Sequence, residues 1–153
     1  MIEQPEIAET IEQPAAVIRL TIPRAEIREA MGPAMAEVMR AVAAQGLTPA
    51  GPMFSHHFRM FPDVFDFEVG LPVAGPVKPT GRVVPGALPA AKVVRTVYQG
   101  AYEGLGDAWQ AFGDWLSANG HATLPDHWES YVAGPESDPD PAAWRTELSR
   151  PLR

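Results

Sequence analysis

The pentapeptide "HWESY", residues 127–131, sets one carboxylate, Glu129, among aromatic side chains. Its residue types and the turn-forming "AGPESDPDP" that follows predict a strand, in which successive side chains point to opposite faces. Glu129 then shares one face with Tyr131, and Trp128 shares the other with Ser130. Acidic residues are depleted from strands, and a buried unpaired carboxylate is costly. Two chemistries suit such an acid. It can hold a cation, which aromatic faces also attract, or it can act as a general base. The plainer alternatives are a solvated carboxylate on a sheet face, or an ion pair with Arg95 or Arg145 from a neighbouring strand.

Other residues that carry chemistry are more weakly patterned. His56 and His57 are adjacent on an expected strand, so they point to opposite faces and do not readily chelate one ion. No further cluster of ligands accompanies them, and no metal is expected. The glycines of "EGLGDAWQAFG" depart from phosphate-loop spacing, and no cofactor is expected. "FSHH" and "LSANGH" put Ser near His without the strained elbow that activates a serine nucleophile. The absence of cysteine excludes disulfides and thiolate catalysis. Tyr131 and Tyr98 are expected around Glu129 in a cleft. Tyr102 at the start of a helix and Trp144 on the last strand are either further wall residues or core.

The chain of 153 residues with a net charge of −7 suits one globular domain. Its basic residues are scattered and outnumbered, so direct nucleic-acid binding is not expected. No apolar run is long enough to span a bilayer, and the acidic start is unlike a signal peptide. A soluble, cytoplasmic protein with no membrane partner is the expectation. A protein partner is left open, its identity unknown.

The elements that must position these residues follow from periodicity. Residues 1–14, with "IEQP" twice, read as a flexible tail. "AAVIRLTI" (15–22) is a strand. Residues 24–45 turn to helical spacing, with 24–31 as a separate turn, Pro33 at the first position of the main helix and Gly46 as terminator. "PMFSHHFRM" (52–60) and "FDFEVGLPV" (65–73) are strands, and the Pro- and Gly-rich 74–90 reads as a linker. "AKVVRTVY" (91–98) is a strand, 102–118 a helix ended by "NG", and 127–133 and 142–152 are strands. The order recurs in two halves, 15–73 and 91–152. Setting Gly46 on Gly120 places Phe54 with Trp128, Ser55 with Glu129 and His57 with Tyr131, without a gap. His57 then lines the opposite side of the cleft. The fold class predicted is α+β: two βαββ units forming one antiparallel sheet surface, both helices on one side, the other side curving into a cleft between the halves.

"VYQGAYEGLGDAWQAFGDWL", "HWESYVAGPESDP" and "RTELSRPL" resemble the second half of the GyrI-like small-molecule-binding domain. "AAQGLTPAGPMFSHHF" and "FDFEVGLPV" resemble its first half. The resemblance covers residues 15–152 and implies one such domain over 15–153. It implies an effector-binding module like those of AraC-type and MerR-type regulators, in which the Glu of "WESY", Glu129, meets lipophilic cations among aromatics. Multidrug binding is one form of that role. The resemblance also implies two alternatives. One is a hydrolase of reactive, cyclopropane-containing molecules, with Glu129 as general base and Tyr131 or Tyr98 as proton donor; whether the protein is an enzyme stays open here. The other is an interaction or inhibitor module. Two features depart from the family pattern: Tyr98 stands in "YQGAY" where a His is frequent, and the residues before Ala15 are too few for a helix-turn-helix.

Overall fold

The computed structural model describes residues 2–153. Its strands are β1 (Glu6–Glu9), β2 (Gln13–Pro23), β3 (Thr48–Pro49), β4 (Phe54–Met60), β5 (Val64–Ala74), β6 (Val84–Leu88), β7 (Lys92–Gln99), β8 (His127–Ala133) and β9 (Arg145–Pro151). The helices are α1 (Ile27–Ala44) and α2 (Leu105–Ala118). The six expected strands and both expected helices are present. Pro33 does not start α1 but lies inside it, and only Arg24–Glu26 forms a separate 3-10 turn. A proline there forfeits one backbone hydrogen bond. Burial of Ala34, Val38, Ala41 and Val42 holds the helix together regardless.

Every strand pairing is antiparallel, in the order β1-β7-β9-β8-β4-β5-β2-β6, with β3 beside β5. The order is a palindrome under exchange of the halves. At its centre Ser55 lies opposite Glu129, Phe54 opposite Ser130 and His56 opposite Trp128. Ser55 and Glu129 are equivalents in the two halves, so a pseudo-twofold axis passes between them. Ladder irregularities fall at equivalent places, between His57 and Arg59 and between Tyr131 and Ala133. Gly46 and Gly120 close the helices with matching left-handed backbones, φ 67° and 70°. Each is followed by the same bond back into the helix, Leu47 N–H to Val42 and His121 N–H to Leu116.

Two expectations need correction. The expected tail contains β1, and the expected linker contains β6. These strands are exchanged between the halves: β1 precedes β2 but pairs with β7, while β6 precedes β7 but pairs with β2. Where the segments cross, the Thr10 hydroxyl donates to the carbonyls of Pro89 and Ala91 and accepts from the Ala91 amide at 3.0 Å. Strands of four and five residues show too little alternation to be read from sequence, and their ladder partners lie in the other half.

Both helices cover one face of the sheet, as expected. Under α1 lie Ala16, Ile18, Leu20, Phe67 and Val69; under α2 lie Val94, Tyr98 and Leu148. The register joins these groups into rows, one running Ile18, Val69, Ser55, Glu129, Leu148, Thr96. Glu129 is therefore on the helix side, between α1 and α2. The opposite face does not form the cleft: it is closed by Ala15, Val17, Phe54, Leu88, Val93 and Trp128. Those residues come from the middle and both ends of the strand order, so the sheet wraps around them. Gly70 makes the wrap possible, since a Cβ there would lie 2.5 Å from Phe54 and 2.8 Å from Val17.

Candidate functional site

The β8 alternation sends His127, Glu129 and Tyr131 to the helix face, and the β4 register brings Ser55 and His57 beside them. From α2, Trp109 reaches down and donates its indole N–H to Glu129 Oε1 at 2.6 Å. Tyr131 donates its hydroxyl to Glu129 Oε2 at 2.7 Å. Ser55 Oγ lies 2.8 Å from the Tyr131 oxygen, and since Tyr131 spends its proton on Glu129, Ser55 is the donor. Glu129 thus receives two hydrogen bonds from neutral groups. The two arginines weighed as partners are engaged elsewhere, Arg95 with Glu6 and Arg145 with Glu3. Among the described residues, no cation forms an ion pair with Glu129.

Burial pushes the Glu129 carboxyl above the usual carboxylate range, although the Trp109 and Tyr131 donors pull it down. Part of its surface remains open. Tyr131 is pushed well above the ordinary phenol range by burial and by the Glu129 charge, so it keeps its proton.

Two aromatic banks flank the acid. On one side Tyr102 meets Tyr131 edge-on with centroids 5.9 Å apart, and Trp144 lies 4.9 Å from Tyr102. Gly134, just past β8, admits Tyr102: a Cβ there would stand 2.6 Å from the Tyr102 hydroxyl. On the other side Phe67, His57 and His127 stack in succession at 4.8 and 4.9 Å, and Trp109 closes on His127 at 4.6 Å. Burial is the main cause that lowers His57 to about 4 and His127 to about 3, so both are neutral near pH 7.

Of the residues expected at the site, Glu129, Tyr131, Tyr102, Trp144 and His57 come together. Tyr98 does not. It is 7% exposed, packs under α2, and donates its hydroxyl to the Ala101 carbonyl at 2.7 Å. It shares a row with Tyr131, but Thr146 of β9 lies between them. Sequence reasoning missed Trp109, His127 and Ser55 as site residues. Trp109 read as part of the apolar stripe of α2, and His127 shares Glu129's strand face, a signal that was present. Two open surface depressions, of about 390 and 340 Å³, both border Ile2 and neither is lined by Glu129. The described residues contain no group of three metal-ligating side chains, and no helix among them is long and apolar enough to cross a membrane.

The family model for the GyrI-like small molecule binding domain matches residues 3–153. Among solved structures, the C-terminal domain of EcmrR is similar with a TM-score of 0.85 and 25% identity, over 98% of this chain and 97% of that one. In the EcmrR–DNA complex the TM-score is 0.84 at 25% identity; the match covers 98% of this chain, which spans only 57% of that protein. SAV2435 bound to tetraphenylphosphonium has a TM-score of 0.67 and 10% identity, over 99% and 94% of the two chains. A hydrolase from Listeria innocua has a TM-score of 0.64 and 14% identity, over 98% and 92%. The last two likenesses concern the fold alone. No curated protein matches the chain.

Proposed function

Because the chain belongs to the GyrI-like small-molecule-binding family, we propose that its Glu129 cleft captures lipophilic or planar cations. The observation that carries the reading is a carboxylate on the pseudo-twofold axis that is held by neutral donors alone, between two aromatic banks. Holding Trp109 and Tyr131 needs no charge, because an amide in its place would accept from Trp109 and donate to the Tyr131 oxygen. A retained charge at such a site has a use when a cation arrives. Each aromatic face in contact with the cation adds about 0.5–2 kcal/mol. The likeness to the EcmrR C-terminal domain supports an effector-binding role, exercised within a larger regulator or with a partner.

Calorimetric titration of the chain with tetraphenylphosphonium and with benzamidinium tests this. Glu129→Gln should weaken both by about 1–3 kcal/mol, the worth of a charge-assisted contact. Equal affinity for both probes in the variant and the wild type would end the reading.

The Ser55–Tyr131–Glu129 chain of hydrogen bonds favours one alternative, hydrolysis of a strained electrophile such as a cyclopropane. Glu129 would take a proton from water as its oxygen bonds to a ring carbon. The ring C–C bond breaks, and Tyr131 protonates the released carbon, recovering its own proton from Glu129. Turnover lost at least a hundredfold in Glu129→Gln would support this. No turnover of such a probe by the wild type would remove it.

A further inference from the structure

We infer that the histidine end of the cleft is a hydrogen-bond donor subsite, so that the best ligands pair their cation with a carbonyl or carboxylate about two strand residues away. The inference rests on the cation-site reading and adds a second pole to it.

His127 precedes Glu129 by two residues on the same face, a separation of about 6.6–6.8 Å along a strand. His57 lies directly opposite His127, and the two rings are parallel to within 1° at 4.9 Å. Among the described side-chain hydrogen bonds a histidine ring enters one, that of His56 with Asp126. The nitrogens of His57 and His127 are also absent from the sealed polar atoms that lack a partner, which include His56 Nδ1 and Arg150 Nε. Both residues are only 7% exposed, yet these nitrogens keep some open surface and no partner among the described side-chain hydrogen bonds. Each neutral imidazole offers one N–H.

The charges around the two ends decide which ligand group suits each. Arg24, whose guanidinium sits 4.4 Å from the Phe65 ring centre and donates to the Phe61 carbonyl, acts on both histidines. Arg150 acts on His127 from β9. Both disfavour positive charge there, and Asp66, itself bound to Arg19, opposes them only at His57. At the other end the nearest charges are carboxylates: Glu129 and Glu136 both act on Tyr102. Carboxylates thus act beside Tyr102 and guanidiniums beside the histidine pair. A simple cation satisfies the first end, yet it strips water from imidazole N–H groups that it cannot engage, which costs affinity.

A matched pair of probes reads this out. Benzamidinium presents the cation alone; 4-carbamoylbenzamidinium places a carboxamide across the ring from it. The wild-type chain should bind the carboxamide about three- to tenfold tighter, the range of one or two added hydrogen bonds. His57→Phe and His127→Phe extend the aromatic stack without polar groups. Each should reduce the ratio of the two affinities, and the double variant should bring that ratio to about one. If the double variant does not fold, His57→Phe alone decides, since its ring already stacks on Phe67. Equal binding of the two probes by the wild type would overturn the donor subsite and leave the cation site standing. So would a preference that survives the folded Phe variants. Failure of both probes to bind the wild type would overturn the cation site, and this inference with it.

Discussion

Replacing Glu129 with Gln should make the empty protein more stable, by an amount that depends on pH. The wild-type acid accepts from Trp109 and Tyr131 and has no cationic partner among the described residues. In Glu129→Gln the amide oxygen keeps the Trp109 bond. The amide N–H donates to the Tyr131 oxygen, whose own proton then turns to Ser55, reversing two links and breaking none. The variant loses the charge-assisted part of two bonds, roughly 1 kcal/mol each. It is relieved of the effective cost of desolvating a carboxylate, several kcal/mol for a fully buried ion and less for this partly open one. The balance favours Gln by about 1 kcal/mol at pH 8. The folded protein binds the Glu129 proton more tightly than the unfolded chain does, because burial raises the carboxyl from its ordinary 4.5. That contribution to stability is complete below about pH 4.5 and is lost as pH rises through the raised folded value. The advantage of Gln should therefore be near zero at pH 4 and grow to a plateau above the folded value. Urea unfolding of both proteins at intervals from pH 4 to 8 measures it. A wild type that gains on the variant as pH rises would show the carboxylate stabilising the fold, and the argument for a functional charge would fail.

Three further outcomes follow from the fold. Gly70→Ala should cost about 1–3 kcal/mol in urea unfolding, because the added methyl meets Phe54 and Val17 in a closed core. Gly46→Ala and Gly120→Ala should each cost about 1 kcal/mol and nearly the same, since both residues hold left-handed backbones at equivalent helix ends with open space around them; a large disparity would count against the repeat. The chain, at net charge −7 with no basic stripe, should show no salt-sensitive binding to duplex DNA near physiological ionic strength, as read by fluorescence anisotropy.

Much of this protein is set by local physics that a sequence carries openly. Runs of β-branched and aromatic residues bounded by turn signals marked six strands, period-3.6 stripes marked α1 and α2, and Gly46 and Gly120 marked equivalent ends. Alternation along β8 alone placed Glu129 and Tyr131 on one face, and Tyr131 does donate to Glu129. The gapless alignment of the halves made Ser55 the equivalent of Glu129, and the register of β4 and β8 then pairs the two at the axis. Tertiary structure decided the rest, because the deciding interactions join residues far apart in the chain. Trp109 bonds Glu129 from a helix whose docking angle no local pattern encodes. His127 meets His57 through the register of two strands from opposite halves. Tyr98, equally aromatic and on the same face, is kept from Glu129 by the intervening β9 and by α2 above it. Residues 6–9 and 84–88 become strands only because each finds its ladder in the other half. Which face carries Glu129 was a global matter too: the sheet wraps around Phe54 and Trp128, closing that side and leaving the acid between the helices.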